Sequence, residues 1–226
     1  MGALPPYKSF FTMGYFISPE MGLKNVNDVL RERSLIDDHH FNYSGLWLFT
    51  GQQGSGKTLL MMHCLKQMIK DFPDIIIVSN INIYGVPTIP YQGIEDFDKY
   101  HNGQDGIVFV IDEIHTLFSS LESAKMPVST LTVWSQNRKN RRVILGTSQR
   151  FNRVAKGIRE QTTWVYSCRR PILNLFYPYS VADGADFDDK GNYSPDTPPK
   201  FSFYVPKVSC MRMYNTLEVV TPKEDP

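Results

Sequence analysis

Eight residues from Gly51 to Thr58 have the types and the spacing that can bind a phosphate group. Their pattern, G-x-x-x-x-G-K-[ST], lies between an apolar run that begins at Leu46 and a helix-like run that begins at Leu59. Glycines allow successive backbone N–H groups to turn towards phosphate oxygens at a helix N-terminus, where unpaired donors and the helix dipole attract anions. The predicted nucleotide-binding residues are Gly51, Gln52, Gln53, Gly54, Ser55, Gly56, Lys57 and Thr58.

Two side chains of this loop would carry its chemistry. The ammonium group of Lys57 is expected to reach the β- and γ-phosphates of a bound nucleotide. The hydroxyl of Thr58 is expected to bind Mg²⁺, a hard cation that takes one or two protein ligands beside the phosphate oxygens. ATP and Mg²⁺ are therefore the predicted cofactors.

After the helix-like run comes a β-branched apolar run at 75–83, which is typical of a buried strand. A carboxylate pair, Asp112 and Glu113, follows the next apolar run, of five residues. A buried parallel strand would hold the pair at its carboxyl end, where open α/β sheets bind their ligands. Asp112 is predicted to contribute to the Mg²⁺ site through a metal-bound water, and Glu113 to take the proton from the water that attacks the γ-phosphate. His115 completes Asp-Glu-Ile-His, which is reminiscent of a helicase box, although a polar residue that opens the next helix explains it equally well.

A further strand-like run, which begins at Arg142, ends in Thr147, Ser148 and Gln149. A polar group at that position could hydrogen-bond the γ-phosphate or the attacking water and so respond to whether ATP is intact. Gln149 is the candidate for this role. Alternatively, these side chains cap the strand and the helix that follows it.

The apolar runs alternate with helical patterns, which predicts an α/β fold with a mainly parallel sheet flanked by helices. A chain of 226 residues is long enough for one good core. We expect an N-terminal arm over residues 1–42, an ATP-binding core over 43–170 and a loop-rich C-terminal β extension over 171–226. Within that extension, the pattern predicts a mobile loop at 183–200 and strands at 201–205 and 208–220.

The net charge of +1 is distributed unevenly along the chain. Ten lysines and arginines and a single acid, Glu160, lie between Asn137 and Arg170. Such a stretch predicts a polyanionic partner, and we assign DNA to the basic segment 138–170. The alternative is a solvated helix face with arginines at a subunit interface.

Three cysteines lie far apart without a C-x-x-C pair, which argues against a zinc site or a disulfide framework and favours a reducing, cytoplasmic setting. No apolar run approaches the roughly 18 residues that a membrane-spanning helix needs. We therefore expect no membrane span in this chain.

In its motifs the chain resembles the P-loop ATPases of the Zot type, the filamentous-phage assembly proteins, within the wider FtsK/HerA group of DNA-pumping motors and viral packaging ATPases. The similarity runs from about residue 46 to 170. It is carried by the loop at 51–58, by the strand that ends in Ser79-Asn80, by Val110-Ile-Asp-Glu113, and by Ser135-Gln-Asn-Arg138 followed by Val143-Ile-Leu-Gly-Thr-Ser-Gln149.

The resemblance implies a sheet ordered 5-1-4-3-2, ATP hydrolysis by Glu113 and a sensor at Gln149. It also implies a homo-oligomeric ring in which an arginine enters the site of the neighbouring subunit, with Arg138 the first candidate and Arg141 and Arg142 behind it. Capsid or envelope assembly proteins are the implied partners, in the cytoplasm of the host if the chain is viral. Zot-type proteins usually continue through a membrane helix, and without one this chain is more similar to packaging ATPases of membrane-containing icosahedral viruses.

The leading hypothesis is an ATP-hydrolysing, DNA-translocating motor of phage or virus assembly, for packaging or extrusion of a genome. A helicase or replication-associated ATPase is the second reading, although no space remains for the second RecA-like domain of a two-core helicase. A small-molecule kinase would need a lid and an acceptor pocket. A non-enzymatic assembly scaffold that is switched by nucleotide binding is a further alternative, but it would not explain the carboxylate pair Asp112 and Glu113.

Overall fold

The strand that leads into the glycine-rich loop lies inside the sheet, between two parallel neighbours. A computed structural model describes residues 40–117, 137, 139–188, 190–194 and 198–215. In it β1 spans Gly45–Thr50 and pairs with β5, Arg142–Ser148, on one side and with β6, Thr162–Cys168, on the other. All three strands run in the same direction, so their carboxyl ends meet at one edge of the sheet.

Five further strands complete an eight-stranded sheet. On the β5 side the order continues through β4 (Ile107–Ile111), β2 (Ile76–Ser79) and the two-residue β3 (Ile89–Pro90), all parallel. On the β6 side, β7 (Tyr177–Asp183) and β8 (Lys200–Tyr204) are added antiparallel. The full order is β3-β2-β4-β5-β1-β6-β7-β8.

This order confirms the predicted fold class and the implied strand order. When the short edge strand β3 is left out, the five long parallel strands numbered in chain order read 5-1-4-3-2 from β6 to β2. The apolar runs predicted as buried strands form β1, β2, β4 and β5 because each is covered on both faces of the sheet.

In the described part of the chain, four helices flank the strands: α1 (Lys57–Asp71), α2 (Asp96–Lys99), α3 (Lys156–Arg159) and α4 (Val208–Met211). Single 3₁₀ turns span Ile114–Thr116, Phe151–Arg153 and Gly184–Asp186. Within the described ranges, no helix combines the length and the apolar character needed to cross a membrane.

Side chains alternate between two core layers, one on each face of the sheet. Trp47 and Phe49 of β1 pack with α1 in the first layer. Leu46 and Leu48 point into the second layer, which contains residues of α3 such as Ile158. Because the side chains of a strand alternate between its faces, β1 must be apolar throughout to be buried on both sides. The phosphate loop is thus attached to a rigid central strand.

The C-terminal prediction was wrong over residues 208–211, where the structure has the helix α4 instead of a strand. Cys210 and Met213 are buried in the layer that contains α1. Their spacing of three residues suits one face of a helical turn, and packing against α1 selects that conformation over the strand that the β-branched residues favoured. The predicted loop at 183–200 contains the turn at Gly184–Asp186 and a bridge between Phe187 and Tyr193.

We retain the division into arm, core and C-terminal extension as a prediction. Residues 1–39 of the arm lie outside the described part of the chain. Strand β7 of the extension hydrogen-bonds directly to β6 of the core sheet, and β8 hydrogen-bonds to β7. The extension is therefore continuous with the sheet that carries the glycine-rich loop.

Candidate active site

The glycine-rich loop connects the end of β1 to the start of α1. Gly56 precedes α1 with φ of 81°, a left-handed conformation that favours glycine. A Cβ atom at this position would lie 2.5 Å from a ring carbon of Tyr177, so the position is closed to larger residues. Gln52, Gln53 and Gly54 form the exposed tip of the loop, while Ser55 is buried.

The loop leaves the N-terminus of α1 open to an anion. The first helical hydrogen bond runs from the N–H of Leu60 to the carbonyl of Gly56, at 2.9 Å, so the preceding N–H groups have no partner within the helix. No acidic residue lies in the first turn, so the helix itself supplies no negative charge to the positive end of its dipole. Both features favour binding of phosphate.

Lys57 is 7% exposed and lies within the loop rather than in solvent. Its Nζ donates a hydrogen bond to the carbonyl oxygen of Gln52 at 3.3 Å. The loop thus folds around the ammonium group that was predicted to contact the β- and γ-phosphates. The phosphate contact itself stays a prediction.

Thr58 and Asp112, the two residues predicted to serve Mg²⁺, are brought together in the fold. Thr58 Oγ1 donates to Asp112 Oδ1 at 3.1 Å, and Thr147 Oγ1 donates to the same oxygen at 2.7 Å. A hydroxyl and a carboxylate this close fit the hard oxygen ligands that Mg²⁺ takes beside phosphates. Among the described residues no group of three or more His, Cys, Asp or Glu could hold a metal ion by itself.

Asn80 orients the backbone of Asp112, which sequence reasoning did not predict. Its Oδ1 accepts from the N–H of Asp112 at 2.8 Å, and its Nδ2 donates to the carbonyl of Asp112 at 3.0 Å. These two hydrogen bonds join the end of β2 to the end of β4. They fix the backbone of Asp112 and thereby help to position its carboxylate. The only sequence signal for this role of Asn80 was its position as a polar residue within the apolar run at 75–83.

Glu113 adopts a left-handed backbone, with φ of 51° and ψ of 48°, directly after β4. Non-glycine residues in this region are strained and persist where surrounding contacts hold them. Here Thr147 Oγ1 accepts a hydrogen bond from the N–H of Glu113 at 2.8 Å. The sequence predicted that a polar group at the end of this strand could contact phosphate or water, with Gln149 as the candidate. The hydroxyl of Thr147 instead contacts both carboxylate residues.

Burial raises the pKa of Glu113 above its ordinary value. The neighbouring His115 opposes this rise, Asp112 adds to it, and Lys57 and Arg153 oppose it. A carboxylate with a raised pKa is a stronger base, which suits proton abstraction from water. Perturbed carboxylates of this kind cluster at functional sites.

His115 contacts the carboxylate of Glu113 across the 3₁₀ turn. The distance from His115 Nδ1 to Glu113 Oε2 is 3.1 Å. The same nitrogen lies 3.4 Å from Ser148 Oγ, which donates to the carbonyl of Arg150 at 3.0 Å. His115 therefore links Glu113 to the end of β5, a role that the two alternatives for this residue did not include.

Gln149, the predicted sensor, immediately follows β5 at the same edge of the sheet. Its Oε1 accepts a hydrogen bond from Arg153 Nη1 at 2.9 Å. The side chain is half-buried, and its contact is to an arginine instead of to the carboxylates. The sensor role stays a prediction.

The arginine predicted to act on a neighbouring subunit, Arg138, lies outside the described residues, as does most of the predicted helix before it. Arg142, one of the two reserve candidates, is fully buried and stacks at 5.6 Å on the ring of Phe109. Its side chain is not available to another subunit, because it is buried. It also lies at the amino end of β5, whereas the phosphate loop lies at the carboxyl ends of the strands. Arg141 donates to the carbonyls of Phe41 and Gln104 at that same edge.

A family model comparison matches residues 47–164 to the ATPase family associated with various cellular activities, abbreviated AAA. The match covers the loop, both carboxylates and the strand that ends at Ser148. The chain belongs to the AAA family. It is a P-loop ATPase, which agrees with the predicted enzyme class and favours an ATPase over the small-molecule kinase.

Comparison of this AAA protein with solved structures finds a shared fold in one case and a weaker likeness in another. The N-terminal domain of zonular occludens toxin from Neisseria meningitidis is similar with a TM-score of 0.57 and 15% identity, over 76% of this chain and 99% of that one. The genome packaging NTPase B204 from Sulfolobus turreted icosahedral virus 2, in complex with ATP-gammaS, aligns with a TM-score of 0.49 and 13% identity over 72% and 97%. No curated protein matches the chain by sequence.

Proposed function

We propose that this ATPase moves DNA during phage or virus assembly, acting in the cytoplasm as a ring of identical subunits. The observation that carries the proposal is the convergence of Lys57, Thr58, Asp112 and Glu113 at one edge of the sheet, with exposed cations beside them. The first part supports hydrolysis of ATP, and the second supports a polyanion as the load.

Hydrolysis would proceed by attack of water on the γ-phosphorus of ATP. The new P–O bond forms as the bond to the oxygen bridging the β- and γ-phosphorus atoms breaks, which releases ADP and phosphate. Glu113 takes the proton of the attacking water, and Lys57 neutralises charge on the β- and γ-phosphates. Thr58 and Asp112 would hold Mg²⁺, which supplies further charge neutralisation when bound.

The basic segment supports DNA as the partner because its charges are exposed near the nucleotide site. Arg150 and Arg153 follow β5, and Arg169 and Arg170 follow β6, at the edge where the phosphate loop lies; all four are exposed. Phosphate contacts by such cations are independent of sequence, as a translocating motor requires. Capsid or envelope proteins would be the docking partners.

The decisive measurement is the rate of ATP hydrolysis with and without single-stranded and duplex DNA over a salt series, with Mg²⁺ present and then chelated. We expect DNA to raise the rate at low salt and the stimulation to fade as salt rises. Lys57→Ala should abolish turnover. Glu113→Gln should lower it by at least about 100-fold while ATP stays bound, because only the base is lost.

Three results would each refute a part of this proposal. A rate that is indifferent to DNA at low salt would remove the DNA-handling function but leave the ATPase. Undiminished hydrolysis by Glu113→Gln would remove the catalytic assignment. Chelation of Mg²⁺ without loss of rate would contradict the metal site.

A helicase is the second candidate, favoured by the 3.1 Å contact between His115 and Glu113 in the sequence Asp-Glu-Ile-His. A strand-displacement assay on short tailed duplexes separates the two functions. Unwinding that depends on Lys57 and on ATP would favour the helicase, whereas DNA-stimulated hydrolysis without unwinding would favour the motor.

A further inference from the structure

The hairpin of β7 and β8 has two faces with opposite exposure. Tyr204 points to the layer that contains α1 and is buried. Phe201 and Phe203, on the other face of β8, are 65% and 63% exposed. Residues of the second core layer cover the sheet as far as Val165 of β6, and that layer includes no residue of β8. The sheet therefore continues past its core with an uncovered aromatic face.

We call this surface the outer hairpin face and define it by Arg169, Phe176, Pro178, Phe201 and Phe203. The register pairs Phe203 with Pro178, and the N–H of Arg169 donates to the carbonyl of Pro178 at 3.0 Å. The ring of Phe176 meets that of Phe203 edge to face at 5.7 Å. The guanidinium of Arg169 lies 5.3 Å from the centre of the Phe201 ring. The rings are thus fixed by strand pairing and by one another.

The charges around the outer hairpin face are all positive in the two stretches that form it. Residues 167–180 and 200–212 contain no aspartate or glutamate. Their cations are all exposed: Arg169, Arg170, Lys200, Lys207 and Arg212. Exposed aromatic rings alone fit many partners, but rings flanked by the exposed cations of these two stretches fit a polyanion that also offers flat apolar groups. The carboxylates of the hairpin, which include Asp183, Asp186 and Asp188, lie in the connection between the stretches.

We infer that the outer hairpin face is a stacking platform for single-stranded nucleic acid. Unpaired bases stack on exposed aromatic rings and the sugar-phosphate backbone follows the cations, a combination that binds strands without reading their sequence. Phe201 and Phe203 are two residues apart on one strand, about 7 Å along it, and both present their rings to the same side. Bases within a duplex are already stacked and cannot use these rings.

A second copy of this chain is a poorer occupant. A two-fold contact between outer hairpin faces would bring like charges together, and the two stretches that form the face supply no carboxylate to pair with them, which is unfavourable. The exposed side chains Leu173 and Leu175 add apolar area at the turn between β6 and β7. A protein partner would bind to apolar area of any kind, whereas a base stacks only on an aromatic ring. Substitutions that keep the apolar area but remove the rings therefore distinguish the two partners by their effect on affinity.

The position of the face connects it to the ATPase site. Phe203 precedes Tyr204, whose Oη donates to the carbonyl of Gly56 at 3.3 Å. A strand bound at Phe203 would therefore lie one residue from a contact to the phosphate loop. The inference rests on the proposed DNA-handling function and deepens it, because it names the form of nucleic acid and the surface that holds it.

The test measures binding of a labelled oligothymidylate and of a duplex of equal length to the full chain, by fluorescence anisotropy without nucleotide. Phe201→Ala/Phe203→Ala should bind the single strand at least about tenfold more weakly, because each lost base stack contributes a similar factor. Duplex affinity, which depends on the cations, should change by less than about twofold.

Two matched variants separate stacking from general apolar contact. Phe201→Leu/Phe203→Leu keeps the apolar area and should lose almost as much single-strand affinity as the alanine pair. Phe201→Tyr/Phe203→Tyr keeps the rings and should bind like the wild type. Since all three pairs change exposed positions, circular dichroism and thermal melting should confirm that each variant folds.

The outcomes separate the two levels of inference. If the leucine pair binds the single strand like the wild type, or if single-strand and duplex affinities fall together, the stacking platform is refuted. If the alanine pair instead changes the oligomeric state seen by light scattering, the face is a subunit interface. If the wild type binds neither oligonucleotide at low salt, the proposed DNA-handling function fails as a whole, while hydrolysis and its loss in Lys57→Ala remain measurable.

Discussion

The nucleotide site and the outer hairpin face both lie near the carboxyl ends of the parallel strands, yet they are built in opposite ways. At the nucleotide site, polar side chains at the ends of three strands hydrogen-bond to one another. Asp112 by itself receives hydrogen bonds from three residues, Thr58, Thr147 and Asn80. At the outer hairpin face, large rings project from an edge strand into solvent.

The contrast indicates different requirements for the two ligands. A reacting phosphate needs groups that are already oriented, because reorientation during the reaction raises the barrier. A mobile strand needs a surface that accepts any base and releases it, which exposed rings provide. The hydrogen bond from Tyr204 to the carbonyl of Gly56 connects the outer hairpin face to the nucleotide site. Three substitutions test how firmly each side of the comparison holds.

The largest expected effect comes from Thr147→Val, which breaks the preorganised side. Valine keeps the shape but removes the donor to Asp112 and the acceptor for the N–H of Glu113. We expect the rate of ATP hydrolysis at saturating ATP to fall about tenfold or more, and the free energy of unfolding to drop by about 1–3 kcal/mol. Steady-state kinetics and thermal melting measure the two effects.

Thr162→Val is the matched control. Its hydroxyl donates to the carbonyl of Ile158 at 3.1 Å, at the edge of the sheet opposite the phosphate loop. It should cost a similar amount of stability and leave the rate unchanged. If both variants slow hydrolysis equally, Thr147 acts through stability alone.

A smaller effect is expected from His115→Gln, read out as a pH profile. The base must be deprotonated, so turnover falls as pH decreases through the raised pKa of Glu113. His115 lowers that pKa, and its removal should therefore move the acidic limb of the profile to higher pH. His101→Gln, at an exposed position distant from the site, should leave the limb in place. A limb that moves to lower pH would contradict the contact.

The smallest effect is expected from Tyr204→Phe, which cuts the contact between the two regions. Loss of one hydrogen bond to the Gly56 carbonyl should weaken ATP binding by about two- to fivefold and reduce stimulation by single strands. Tyr166→Phe is the control, because the buried Tyr166 hydroxyl has no hydrogen-bond partner among the described residues. That variant should melt at a higher temperature with ATP affinity unchanged. Equal stimulation in wild type and Tyr204→Phe would refute the connection.

Much of the nucleotide site could be predicted because its signals are local. The loop from Gly51 to Thr58 is contiguous, and its chemistry depends on a strand before it and a helix after it, both visible as apolar patterns. Asp112 and Glu113 follow a buried strand in the same way. That Asn80 and Thr147 contact Asp112 was beyond prediction. The implied strand order places the ends of β2, β4 and β5 side by side, but it does not say which of their side chains meet.

The C-terminal residues show the other limit. Alternation in β8 is readable, but nothing in that stretch says which face would be covered, and the segment at 208–211 forms a helix because α1 offers it a surface. Local preference is weak in such short segments, so packing decides.

By itself the amino-acid sequence determined the phosphate loop, the carboxylate pair and the parallel α/β fold, because each is encoded by residues close together along the chain. Tertiary structure alone decided that Thr147 and Asn80 hold Asp112, that Arg142 is buried, and that Phe201 and Phe203 are left exposed beside Arg169. These contacts join residues that are distant in sequence, and their energies depend on which strands become neighbours.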